Sequence, residues 1–133
     1  VLDSVQSHGD MVLGRLSREL PPITKMSNAL LTTPLLIELA LQTAGVWEIG
    51  KTGVLSLPVS IRKIDLYQSE INGEQIFAEV QPIEDGDTMR FNARVVDQLG
   101  QVYLELQDYR TAPLPYAAEE KLVEPLRKLI KKN

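Results

Sequence analysis

The sequence predicts an α+β domain, an antiparallel sheet wrapped around one central apolar helix. Three observations carry this: a long apolar stretch at helical spacing, "TTPLLIELALQTAGVWEIG" at 32–50; strand-like segments after it, parted by turn residues; and two short strands before it. At 133 residues the chain is one domain, long enough to bury a single core but not two.

The opening "VLDSVQSHGDMVLGRLSREL" is expected to form two strands around a Gly9-Asp10 turn, ended by Pro21-Pro22. The stretch "ITKMSNALLTT" is expected to be an irregular connection. The helix is expected to start with Thr33 as N-cap and Pro34 at the first helical position, where a missing N–H costs nothing, and to end near Gly50. Strands follow in "VLSLPVSIRKIDLY", "EQIFAEVQPI", "TMRFNARVVD" and "QVYLELQDYRT", with turns at Ile71-Asn72-Gly73, Asp85-Gly86-Asp87 and Leu99-Gly100. In "TMRFNARV" the alternation is clean: Met89, Phe91, Ala93 and Val95 on one face, Thr88, Arg90, Asn92 and Arg94 on the other. "APLP" at 112–115 should close the sheet. The tail, 116–133, is expected to be a solvated amphipathic helix or linker, broken or restarted at Pro125.

Composition narrows the function classes. Eighteen acidic against fourteen basic residues, a net charge of -4, argue against nucleic acid as a partner. No apolar stretch approaches the roughly 20 residues that cross a bilayer, so no membrane role is expected. With no cysteine there is neither a disulfide framework nor a thiolate nucleophile, which is compatible with a cytoplasmic setting. One histidine and scattered carboxylates make no metal site. No secretion signal is visible at the N-terminus.

Inside the apolar helix sit Glu38 and Gln42, four residues apart and therefore on one face. A helix apolar on nearly all sides should be buried in the concave face of the sheet. A carboxylate there has its charged form disfavoured, and its pKa rises. Two readings follow. Glu38 is a structural acid satisfied by a backbone N–H, an arginine or a subunit boundary, or it is a general acid that Gln42 orients. Helix geometry alone does not choose between them.

"PLLIELALQTAG" followed by "LSLPVSIRKIDLY" resembles the second, C-terminal half of the dehydratase domain of modular polyketide synthases, a double hot-dog fold related to the β-hydroxyacyl-ACP dehydratases. That family carries a D-x-x-x-Q motif on its central helix, four residues after a proline, then an L-P-F-x-W motif at the start of a strand. Here Pro34 precedes Glu38 and Gln42 at the same spacing, and Leu57-Pro58-Val59-Ser60-Ile61 stands at the second motif. "FNARVVDQLGQVYLELQDYRTAPLP" resembles the closing strands. The acid is Glu rather than Asp, as in the single hot-dog dehydratases. The family's histidine motif, H-x-x-x-G-x-x-x-x-P, is not matched around His8, which reads as a turn residue; the G-Y-x-Y-G-P-x-F motif is also absent.

The resemblance implies a single hot-dog over 1–115, half of a double hot-dog dehydratase, with 116–133 as the terminal helix or linker. It implies loss of water from a 3-hydroxyacyl thioester, to give an enoyl thioester. The substrate would be held on the phosphopantetheine of an acyl carrier protein, and no further cofactor is involved. Glu38 would be the acid, Gln42 its partner, and Leu57, Pro58 and Ile61 the tunnel wall, although the last three read equally well as strand core with a proline at an edge. The implied partners are the carrier protein and either the missing histidine-bearing half or a second copy of the chain. Two other readings stay open: a non-catalytic hot-dog scaffold or carrier-docking module, and an acyl-thioester hydrolase using Glu38 to direct water.

Overall fold

The computed structural model of the chain describes residues 1–17, 29–68, 75–86, 88–117 and 120–131. Strands β1 (Leu2–His8) and β2 (Met11–Leu16) form the expected hairpin, with His8 opposite Met11 across the Gly9-Asp10 turn. Helix α1 (Ala29–Thr52) follows, then β3 (Val54–Leu66), β4 (Ile76–Asp85), β5 (Thr88–Asp97), β6 (Val102–Ala117) and α2 (Glu120–Lys131). The strands make one six-stranded antiparallel sheet in the order β1-β2-β4-β5-β6-β3, so β1 and β3 are its edges.

The helix is longer than its sequence signals. It begins at Ala29, so Pro34 lies inside it instead of opening it, and the Thr33 N-cap expectation fails. Pro34 deletes one backbone hydrogen bond, to the carbonyl of residue 30, and being exposed it disturbs no packing. At the other end the helix runs past Gly50. It stops where Gly53, with φ +74°, donates its N–H to the Ile49 carbonyl at 2.8 Å. That left-handed residue is the C′ glycine that ends the helix.

Leu36, Leu39, Ala40, Ala44 and Trp47 of α1 pack against Val12, Ala78, Val80, Phe91, Val95, Leu104 and Leu106 of the sheet. Leu36 and Leu39 have no exposed surface, and burial of each stabilises the fold by about 1.5–3 kcal/mol. Helix and sheet come close at Gly14 of β2, where a Cβ would lie 1.9 Å from the Thr43 hydroxyl oxygen. Only glycine fits that contact. Thr43, fully buried, returns its hydroxyl to the Leu39 carbonyl at 2.8 Å.

The alternation read in β5 is seen, with Phe91, Ala93 and Val95 buried and Asn92 and Arg94 exposed. In β6 the alternation breaks. Leu104 and Leu106 point inward, and so do Tyr109 and Thr111, because the pairing with β5 shifts between Phe91 and Ala93. Asp108 sits at this bulge with φ 54°, its N–H donated to Asn92 Oδ1 at 3.1 Å and its carboxylate paired with Arg90 and Arg110. "APLP" at 112–115 does not end the sheet but continues β6, which runs to Ala117. Beyond Thr111 only β3 pairs with β6, so Pro113 faces no strand that needs an N–H from the β5 side.

Helix α2 is continuous through the exposed Pro125, and Val123 buries its side chain near Gly53. The tail is therefore docked on α1, not a solvated linker. The expected end at Pro21-Pro22 and the expected turn at Ile71-Asn72-Gly73 lie outside the described residues, as does most of the expected irregular connection; its last residues, from Ala29, are helical. No helix among the described residues is long and apolar enough to cross a membrane.

Candidate functional site

Glu38 and Gln42 project from one face of α1 and are joined: Gln42 Nε2 donates to Glu38 Oε1 at 3.0 Å. The other end of the amide is fixed as well, because the Leu2 N–H of β1 donates to Gln42 Oε1 at 3.2 Å. A backbone N–H can only meet the amide oxygen, so the Gln42 NH₂ must face the carboxyl. The donation occupies Oε1. Among the described residues Oε2 has no hydrogen bond, and it is the oxygen left to address a ligand.

Glu38 itself is exposed, contrary to the burial expected from its apolar neighbours. Leu36, Leu39 and Ala40 take the sheet side of the helix. Leu35, Ile37 and Leu41 are only half-buried, and the stripe bearing Pro34 and Glu38 faces outward. Adjacency in sequence spreads side chains 100° apart around a helix, so apolar neighbours do not enclose the residue between them.

Two polar residues near this face escaped the sequence reading. Glu48, roughly three turns further along α1, is buried and receives three hydroxyl contacts: Thr111 Oγ1 at 2.8 and 2.9 Å, and Ser56 Oγ at 3.0 Å. It ties the helix to β3 and β6 together. Tyr109 of β6 is buried, its ring 5.8 Å from that of Phe91, which meets Trp47 of α1 edge-on at 5.9 Å. Burial foremost, then the charges of Glu48 and Glu38, pushes the Tyr109 phenol up to about 12. The sequence signal for Glu48 was its position as a second carboxylate in the same apolar helix. Tyr109 offered none, because the bulge decides which way it faces.

Leu57, Pro58 and Ile61 all lie on β3, paired with Ala112, Thr111 and Tyr109 of β6. Ile61 packs against the core beside Tyr109, while Leu57 and Pro58 are exposed on the sheet edge. A groove of about 580 Å³ opens on the other face of the sheet, among residues such as Arg62, Glu79, Arg94 and Glu105; neither Glu38 nor Gln42 lines it. His8 is exposed at the hairpin, its Nε2 3.4 Å from Gln6 Oε1. Among the described residues no cluster of His, Cys, Asp or Glu could hold a metal ion.

Residues 1–121 match the family model described as the polyketide synthase dehydratase N-terminal domain. The chain belongs to the polyketide synthase dehydratase family. The description names the N-terminal domain, whereas the helix motif resembles the second half of the double fold; the family is common to both. Its fold is that of the dehydratase domain from the CurF module of curacin polyketide synthase, with a TM-score of 0.64 and 23% identity over 85% of this chain and 39% of that one. An inactive Asp→Asn mutant of the CurK dehydratase matches with a TM-score of 0.58 and 26% identity, over 80% of this chain and 38% of that one. The E. coli PaaI protein from the phenylacetic acid degradation operon has a TM-score of 0.65 and 14% identity, over 86% of this chain and 80% of that one. The chain spans about two fifths of the length of the dehydratase structures it matches, and most of the length of PaaI. No curated protein matches.

Proposed function

We propose that the chain is the acid-bearing half of a 3-hydroxyacyl thioester dehydratase, with its substrate on the phosphopantetheine arm of an acyl carrier protein. The observation that carries this reading is the relay from the Leu2 N–H through the Gln42 amide to Oε1 of the exposed Glu38, which leaves Oε2 without a hydrogen bond among the described residues. A carboxyl oriented in this way can give a proton to a departing hydroxyl. The CurK mutant lends support, since loss of one aspartate carboxyl leaves that relative inactive.

The histidine that removes the proton next to the thioester carbonyl belongs, in this reading, to another segment or another copy. The chain's one histidine, His8, stands exposed at a hairpin. The exposure of Glu38, Leu57 and Pro58 fits the same arrangement: a second hot-dog unit would cover that side and turn the β3 residues into a tunnel wall. The test is dehydration of 3-hydroxybutyryl-pantetheine by the assembled enzyme. Glu38→Gln is expected to lower kcat by about 10²–10⁴-fold, the usual weight of a general acid, and an unchanged rate would refute the assignment.

Thioester hydrolysis is a second reading, favoured by the access of water to Glu38 and by the likeness to most of the PaaI chain. It predicts release of free pantetheine thiol from an acyl-pantetheine by this chain alone, a product that dehydration does not form.

A further inference from the structure

Gly45 lies well inside α1, where glycine is less stable than alanine because it has more backbone freedom to lose. Two other glycines have evident reasons: at Gly14 a Cβ would strike Thr43, and Gly53 takes the left-handed conformation that ends the helix. At Gly45 a Cβ would meet nothing within 4 Å. A clearance kept at that cost points to a body outside this chain. Its position says which. Gly45 is seven residues beyond Glu38, two turns and roughly 10 Å further along the same stripe. The stripe runs between two ties: Gln42 is bound to Leu2 of β1 on one flank, Glu48 to Ser56 of β3 and Thr111 of β6 on the other. Leu41 before the glycine and Ile49 after it are apolar and half-buried. The polar side chains of this stretch are turned away, Thr43 toward Gly14 of the sheet and Glu48 toward its two hydroxyls. The amides of a pantetheine arm would find no side-chain partner here, whereas a hydrocarbon chain needs none.

We propose that Gly45 keeps open the path of the acyl chain and so sets the length of chain that the site accepts. The inference rests on the dehydratase reading. With the 3-hydroxyl at Glu38, the thioester and the carbon tail leave C3 in different directions. The tail runs along Leu41 and Gly45 toward Ile49, and the thioester leaves on the Pro34 side. A short acyl chain ends before the glycine; one of medium length crosses it. A larger side chain at this position would lean toward the N-terminal end of the helix, over the track, and shorten it.

The assay gives the assembled dehydratase 3-hydroxybutyryl- and 3-hydroxydecanoyl-pantetheine and reads the ratio of their kcat/KM values. In Gly45→Leu the ratio of long to short chain is expected to fall by about tenfold or more, the scale on which a pocket discriminates by methylenes. In Gly45→Ala it is expected to fall less, while the melting temperature rises. An unchanged ratio in Gly45→Leu overturns the assignment, whether both substrates keep their rates or lose them alike; equal loss is the mark of a pantetheine arm or a partner unit at the glycine. A lowered melting temperature in Gly45→Ala overturns it too, because the glycine then serves the fold. So does a wild-type enzyme that turns over the butyryl chain alone. Glu38→Gln is assayed in parallel. Its inactivity beside an unchanged ratio refutes the Gly45 assignment and leaves the dehydratase reading standing, and full rate in Glu38→Gln overturns both.

Discussion

Gln42 sets the direction of Glu38, and that direction is anchored in a neighbouring strand by one backbone N–H. The pairing of an acid and an amide at helical spacing was legible in the sequence; the exposure of the acid was not, because the covering of a helix face depends on what packs there. Gly14 shows the same limit. Its place in a strand is readable, but its contact with Thr43 is a tertiary fact. Gly14→Ala is expected to destabilise the fold by about 1–3 kcal/mol, as overpacking does, and Thr43→Ala in the same chain to recover much of that loss; denaturant titration of the wild type and these two variants checks this. Asp97 makes a pH prediction. Burial alone would raise its pKa, but hydrogen bonds from the Gln101 and Leu99 N–H groups and from the Tyr103 hydroxyl outweigh burial and hold it below the usual carboxylate range. With the folded value depressed, the stabilisation is present above the unfolded value of about 4 and is lost as pH falls through the folded one. Thermal melts across that window should show the acid-side decline become shallower in Asp97→Asn.

Elements carry the next layer. Glu48 is the point at which α1, β3 and β6 are tied, through Ser56 and Thr111. Glu48→Ala would strand both hydroxyls in a partly buried setting. It is expected to cost about 1–3 kcal/mol, and Glu48→Gln, which keeps an acceptor oxygen, to cost less; chemical denaturation distinguishes them. The order and kind of elements were readable because the apolar helix and the turn-punctuated strands leave strong local signals. Their ends were less so. Pro34 resembled a helix start because the first turn is where proline is cheapest, but an exposed proline further along deletes only one bond. Pro113 resembled a strand end because a central strand rejects proline, yet β5 has already stopped there. The tail reads as polar by composition, and the burial of Val123 depends on α1 being beside it.

For the molecule as a whole, the edge strand β3 is the exposed feature. Leu57, Val59, Ile64 and Leu66 stand 44–62% exposed along a 13-residue strand that has β6 on one side only. An apolar edge of that length invites another strand. The chain is therefore expected to associate with itself, or with a companion hot-dog, at micromolar concentration. Val59→Lys with Ile64→Lys should shift sedimentation toward the monomer, and wild-type protein that stays monomeric would contradict the expectation. The bulge at Asp108 has a consequence of its own. It acts as a frame shift within the sheet, with Leu104 and Leu106 counted inward by even numbers and Tyr109 and Thr111 by odd ones. Loss of a single codon at that point would restore the plain alternation of the strand and still leave Tyr109 and Thr111 facing the helix, since the extra residue is what shifts the count from even to odd.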